Sequence, residues 1–157
     1  LNAESIATAS DRLTVLVMGT NDLAKELYAE HVPGRAPLLF GLQKCLMAAR
    51  LAGKVILDGV YNDIKDDEGF RAECVQGKQF GFDGRTLIHP SQVEPCNEVF
   101  APSVNEIEYS RKVIAAFDEA QAEGRGVVTV DVRMIEILHV DNDQRILAVA
   151  DAIAALG

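Results

Sequence analysis

Basic residues are scarce in this sequence: 15 Lys and Arg stand against 24 Asp and Glu, for a net charge of −9. Binding to a phosphate backbone is carried by clustered Lys and Arg, so no nucleic-acid partner is expected. Long apolar runs are missing too. None reaches the roughly 18 residues that a membrane span requires, and the N-terminus lacks the basic and then apolar pattern of a signal peptide. A soluble, cytoplasmic protein without a membrane partner is therefore expected. Cys45, Cys74 and Cys96 are odd in number and widely spaced, with no C-x-x-C pair, which suggests neither a zinc site nor a disulfide framework. They read as buried thiols. Neither "QGKQFG" nor "GFDG" has the G-x-G-x-x-G spacing of a dinucleotide loop. The opening "LNAESIATAS" has no initiator Met and no clear helix start signal, and it reads as the interior of something longer.

What is present is alternation. The chain has 157 residues, 48% of them hydrophobic, enough for one domain with a real core. Residues 2–9 read as a helix, with helical apolar spacing at Leu1, Ile6 and Ala9. Leu13 to Met18 is a continuous, Val- and Leu-rich run that predicts a buried strand, followed by a short helix from Asn21 that Pro33 and Gly34 break. "APLLFGLQKCLMAARLAG" aligns Leu38, Leu42, Cys45, Leu46 and Ala49 on one helical face and stops at Gly53. "KVILDGV" predicts a second strand, "DDEGFRAECVQGKQFG" a helix with acids at its start, "GFDGRTLIHP" a third strand and "PSQVEPCNEVF" the helix after it. Three strand and helix alternations are the pattern of a parallel sheet or barrel with covering helices.

After Pro102 the character changes. Ser103 is a candidate N-cap with Glu106 three residues on, ahead of Ile107, Val113, Ile114 and Phe117 at helical spacing. "RGVVTVDV" predicts one short strand, and "NDQRILAVADAIAALG" a terminal helix with Ile146, Val149, Ala150 and Ile153 inward. Residues 1–102 thus read as the sheet-forming portion and residues 103–157 as an appended arm.

Candidate chemistry gathers at the strand ends, where sites in barrels and open α/β sheets lie. Thr20, Asn21 and Asp22 sit where the first strand hands over to a helix, whose first N–H groups suit an anion, with a carboxylate nearby for a metal. A plain helix cap accounts for the same residues. Asp58 and Gly59 end the second strand, as a substrate contact or as an ordinary Asp-Gly turn. His89 ends the third, where a hydrogen-bonded structural role is the favoured reading.

Taken together and in order, "VMGTNDLAKEL", "ILDGVYNDIKDDEGF", "GFDGRTLIHPSQVEPCNEVFAPS" and "VDVRMIEILHV" closely resemble the C-terminal half of the citrate lyase β-subunit-like family, which includes malyl-CoA and citramalyl-CoA lyases. The resemblance covers nearly the whole chain. It implies the C-terminal part of a (β/α)8 barrel, strands six to eight, followed by a C-terminal helical arm that packs on a neighbouring subunit of a homo-oligomer. It also implies magnesium as the cofactor and Asp22, at the end of a G-x-x-D motif, as a ligand. The partner glutamate and a substrate-holding arginine would lie upstream of Leu1.

The chemistry so implied is cleavage of a carbon-carbon bond in a CoA ester such as malyl-CoA or citramalyl-CoA, with acyl-CoA and 2-oxo acids as partners and no need for PLP or a nicotinamide. Hydrolysis of such a thioester, or a catalytically silent assembly subunit, are the alternatives. Thr20, Asn21, Asp58 and Gly59 are expected to meet the substrate and Glu136 to serve in acid/base work. Two positions depart from the family's arm motif: Val132 stands where glycine is expected, and Glu136 where several members have aspartate. A β-branched residue disfavours the positive φ that glycine permits, so the turn there is expected to differ.

Overall fold

The computed structural model describes residues 1–156, which form two compact units, Leu1–Phe100 and the segment from residue 101 onward. The first unit is α/β. A short helix α1 (Ala3–Ala7) precedes strand β1 (Val15–Val17), helix α2 (Thr20–Leu27), a 3-10 segment at Pro33–Leu38 and helix α3 (Leu39–Leu51). Strand β2 (Val55–Asp58), helix α4 (Asp67–Phe80), strand β3 (Gly84–Arg85), a 3-10 turn at Pro90–Gln92 and helix α5 (Val93–Phe100) complete it.

The strands pair in the order β1-β2-β3, all parallel, with Val15 opposite Val55, Val17 opposite Leu57 and Asp58 opposite Arg85. Each lies inside its predicted run and is shorter. The third is cut most, because Asp83 begins the pairing with its side chain: its carboxylate accepts from the Ile56 N–H at 2.8 Å while its own N–H donates to the Ile56 carbonyl at 3.0 Å. Successive side chains of a strand point to opposite faces. Ile56, with Leu16 beside it, therefore packs with Leu38, Leu42, Ala49 and Phe82 in the main core, whereas Val15, Val17 and Val55 are exposed on the other face.

The N-terminal helix corrects an expectation. Leu1 and Ile6 are exposed, and the buried residues are Ala3 and Ala7, which pack on Ala48 of α3. Small side chains let the two helices approach closely, and the larger apolar ones are left outside. At the start of α4, Asp66 caps the helix by accepting from the Gly69 N–H at 2.9 Å, as the acidic run predicts.

The second unit holds helix α6 (Val104–Ala122), strands β4 (Val128–Val130) and β5 (Arg133–Ile135) in an antiparallel hairpin, and helix α7 (Ile137–Leu156). The capping box is formed in full: the Glu106 N–H donates to Ser103 Oγ, and the Ser103 N–H donates to the Glu106 carboxylate at 2.7 Å. Val113, Phe117, Val130, Ile135 and Val140 make the core, and Ser110 donates to a buried Asp143 carboxylate at 2.6 Å, tying α6 to α7. Strand β5 has no separate signal in the predicted pattern, and α7 starts at Ile137 instead of near Asn142. His139 Nδ1 accepts from the Glu136 N–H at 3.0 Å and so supplies a start that the pattern lacks. The inward stripe of α7 runs through Val140 and Asp143, leaving Val149 and Ile153 exposed, contrary to expectation. Among the described residues, no helix is long and apolar enough to cross a membrane.

Asp131 and Val132 form the two-residue turn between β4 and β5, at φ 43° and 61°. A type I′ hairpin demands positive φ at both central positions, and Asp-Gly is among its preferred pairs. Val132 pays this steric cost with its side chain 98% exposed, so burial returns nothing. Val132→Gly is expected to stabilise the second unit by about 1 kcal/mol, the relief of left-handed strain exceeding glycine's entropy cost. Thermal unfolding followed on the second unit's amide resonances checks this, and a lower melting temperature would contradict it.

Candidate functional site

The carboxyl ends of β1 and β2 are drawn together by two short residues. Thr20, the first residue of α2, is buried, and its Oγ1 has no hydrogen-bond partner. Gly59 follows β2 directly. A Cβ at Gly59 would lie 2.3 Å from Thr20 Oγ1, 2.5 Å from its Cγ2 and 2.9 Å from the Met18 carbonyl oxygen, so only glycine lets the two strand ends pass this closely.

Asn21 and Asp22, the next two residues, are exposed. Asn21 forms a reciprocal amide pair with Asn62: each Nδ2 donates to the other's Oδ1, at 3.0 and 2.8 Å. Asp22 stands in the first turn of α2 with its carboxylate folded back over the strand end, since a Cβ at Gly19 would lie 3.4 Å from Asp22 Oδ2. The first-turn N–H groups of a helix favour a negative charge at this end. Thr20, Asn21, Asp22 and Gly59 thus lie at the strand ends, Thr20 and Gly59 buried and Asn21 and Asp22 exposed.

Asp58 departs from its expected role as a substrate contact. Its side chain is 0% exposed and accepts two hydrogen bonds from Arg35 Nη1, at 2.8 and 2.7 Å, and one from the Gly59 N–H at 2.8 Å. Arg85 Nη2 lies 3.6 Å from the same carboxylate and 2.5 Å from that of Glu73. Arg35 Nε also donates to Gln76 at 2.7 Å, and Arg85 Nε to the Gly59 carbonyl at 2.7 Å. Helix α4 comes down on this group at Gly77, where a Cβ would sit 2.8 Å from Asp58 Oδ2. Two guanidinium groups and two carboxylates balance each other, with Arg35, Asp58 and Arg85 buried and Glu73 partly exposed at the cleft described below. The Asp58 side chain therefore holds the fold beneath the surface and leaves no face for a ligand. Arg35, Glu73 and Arg85 carry no sequence signal for this role; Arg35 follows the Pro33-Gly34 break and sits at φ 57°, a left-handed conformation that the surrounding bonds over-determine.

Beside the amide pair lies a cleft of about 370 Å³, between the Val32–Gly34 turn, residues 60–63 and α4. On its wall Tyr61 Oη donates to Asp66 at 2.5 Å, and this bond pushes the Tyr61 phenol up to about 12. His89 is exposed, and its Nδ1 accepts from the Ser91 N–H at 3.2 Å as the cap of the Pro90–Gln92 turn, in keeping with the structural reading of that residue. Glu136 belongs to the second unit, between β5 and α7, and is exposed.

Among the described residues, no group of three or more His, Cys, Asp and Glu is arranged to hold a metal ion. Magnesium, however, is commonly held by one or two carboxylates, with water and substrate oxygens completing its octahedron. An exposed Asp22 at a helix start fits the part of one such ligand.

The chain is 55% identical over its whole length to a (3S)-malyl-CoA thioesterase of Cereibacter sphaeroides, of which it covers 55%. It is 37% identical over 152 residues to the citrate lyase subunit beta of Leuconostoc mesenteroides subsp. cremoris, covering 97% of this chain and 50% of that one. The chain thus spans about half the length of the curated relatives it matches. Its fold is similar to that of the protein CitE from Mycobacterium tuberculosis in complex with magnesium, acetoacetate and coenzyme A, with a TM-score of 0.77 and 26% identity over 95% of this chain and 56% of that one. The sequence profile of the HpcH/HpaI aldolase/citrate lyase family matches residues 1–90, more than half the sequence. The chain belongs to the HpcH/HpaI aldolase/citrate lyase family.

Proposed function

We propose that this chain supplies the Asp22 side of a magnesium-dependent site acting on a malyl-CoA-type thioester. The observation that carries the reading is the exposed Asp22 carboxylate at the start of α2, beside the β1 and β2 ends, in a chain 55% identical to a malyl-CoA thioesterase. The magnesium complex of the CitE relative supports the choice of cation. In this reading Asp22 holds the cation, and the first-turn N–H groups near Thr20 and Asn21 orient an anionic carboxylate of the substrate. The tight Thr20 and Gly59 contact keeps water from behind that carboxylate, and the buried ion-pair group fixes both loops. When bound, the cation supplies Lewis-acid polarisation of a substrate oxygen. Glu136 serves as a carboxylate for acid/base work.

The exposed Val15, Val17 and Val55 face supports reading the three parallel strands as part of a barrel whose interior side awaits other strands. We assign strands six to eight of a (β/α)8 barrel to residues 1–102 and an arm that exchanges between subunits of a homo-oligomer to the remainder.

Two reactions fit this site. Hydrolysis of malyl-CoA gives malate and free CoA; cleavage of its carbon-carbon bond gives glyoxylate and acetyl-CoA. The 55% identity to thioesterases favours hydrolysis, and the 37% identity to a citrate lyase subunit keeps cleavage as the second reading. Joining the N-terminal part of the Cereibacter sphaeroides relative to this chain, and separating the products formed from malyl-CoA with saturating magnesium, tests both. Malate with free CoA is the expected outcome. A folded chimera that forms neither product pair would overturn the proposal.

A further inference from the structure

Cys74 on α4 and Cys96 on α5 are both buried in one cluster with Phe70. Arg85 approaches Cys74 from β3, its Nη1 donating to Sγ at 3.8 Å. A guanidinium in that position favours the thiolate, which is the nucleophilic form. Cys45 lies apart, packed beside Ala3, Ala7 and Ala48. The two paired cysteines have no part in the site described above.

We propose that Cys74 and Cys96 are a reversible redox pair, which a peroxide converts to a disulfide joining α4 to α5. The groups facing Cys74 make the two sulfurs unequal. Cys96 and the Arg85 guanidinium beside it hold the Cys74 thiol below its ordinary value, against the effects of burial and of Asp58. Proximity to Cys74 and burial push Cys96 up, so it keeps its proton. Cys74 is therefore the attacking sulfur and Cys96 the resolving one.

The electrons balance in two steps. The Cys74 thiolate attacks one peroxide oxygen, the O–O bond breaks, and the departing hydroxide takes a proton to leave as water, with S–OH on Cys74. The Cys96 sulfur then attacks the Cys74 sulfur, the S–O bond breaks, and the Cys96 proton leaves with the second hydroxide as water. Two thiols lose two electrons, and the peroxide is reduced to two waters. A small peroxide needs only local opening to arrive, and α5, eight residues long, is the short element covering the pair. Because Arg85 also holds the Gly59 carbonyl, loss of the Cys74 thiolate is felt by the residue that fixes the loop after β2.

The test uses the reduced 157-residue chain, hydrogen peroxide, alkylation of remaining thiols and peptide mass spectrometry. The expected result is a Cys74–Cys96 cross-linked peptide lighter by two hydrogens, with Cys45 still alkylated and the cross-link reversed by dithiothreitol. The reaction rate should climb with pH while Cys74 loses its proton and level off once the thiolate is complete. Cys96→Ser should instead leave a sulfenic acid on Cys74 that dimedone traps, and Cys74→Ser should leave Cys96 as a thiol. The wild-type reaction decides the matter even if a variant misfolds. Oxidation of Cys45 with Cys74 and Cys96 both still alkylated, or a cross-link that forms only in urea, would overturn the proposal.

Discussion

Asp58→Ala is expected to destabilise the Leu1–Phe100 unit by about 3–5 kcal/mol, the usual cost of removing one partner from a buried ion pair. The size follows from what stays behind. Arg35 Nη1 loses both oxygens it donates to, the Gly59 N–H loses its acceptor, and Arg85 loses a carboxylate at 3.6 Å. A group of two positive and two negative side chains becomes net positive with both guanidinium groups buried. Arg35 is also held at φ 57° by these bonds, so its left-handed conformation loses its main support. Urea unfolding followed on amide resonances of the first unit measures the loss. Combining Asp58→Ala with Arg35→Ala should cost clearly less than the sum of the single changes, because the unpaired charge goes with its partner. Strict additivity, or a loss below about 1 kcal/mol for Asp58→Ala, would show that the pair does not carry this part of the fold.

Asp22→Asn is expected to act on activity and leave the fold alone. Asp22 is exposed and lies in the first turn of α2, where an amide keeps the size and hydrogen-bonding reach of the carboxylate and loses only its charge. That charge is what a hard cation needs from its ligand. In the malyl-CoA chimera the substitution should lower kcat/KM roughly 100-fold or more, since each tenfold corresponds to about 1.4 kcal/mol and metal stabilisation of developing charge amounts to several. The defect should deepen at limiting magnesium, while the amide spectrum stays that of the parent. Equal kcat/KM at limiting magnesium would remove Asp22 from the metal site. The two predictions separate cleanly, one losing stability at a buried carboxylate and the other losing function at an exposed one.

Much of this protein is legible in local pattern. The three parallel strands lie where continuous or bounded apolar runs place them, and α3 buries Leu42 and Ala49, with Leu38 at its N-cap, as their spacing predicts, while Cys45 and Leu46 on the same face are only half-buried. The Ser103 and Glu106 capping box is readable because both partners lie within four residues of one another. Asp22 stands out because the end of a strand and the start of a helix are adjacent in sequence. The turn at Val132 is expected to differ because valine disfavours the positive φ of the usual glycine, yet Val132 keeps that φ, at 61°.

Other features have no local signal, and tertiary structure alone decided them. Asp-Gly after a strand is written alike whether it is a turn or a buried ion pair; Asp58 became the second because the parallel register sets Arg85 opposite it and the bend at Gly34 turns Arg35 inward. Gly59 is required because Thr20, far away in sequence, fills the space a Cβ would take. Cys74 and Cys96 carry no spacing motif and meet only because α4 and α5 pack together in one apolar cluster. The physical reason is range. Periodicity, caps and turns are settled by residues within a few positions of each other, and the sequence alone determined them here. The partner of a buried charge or thiol comes from another element, and only the packing of strands and helices chose which one.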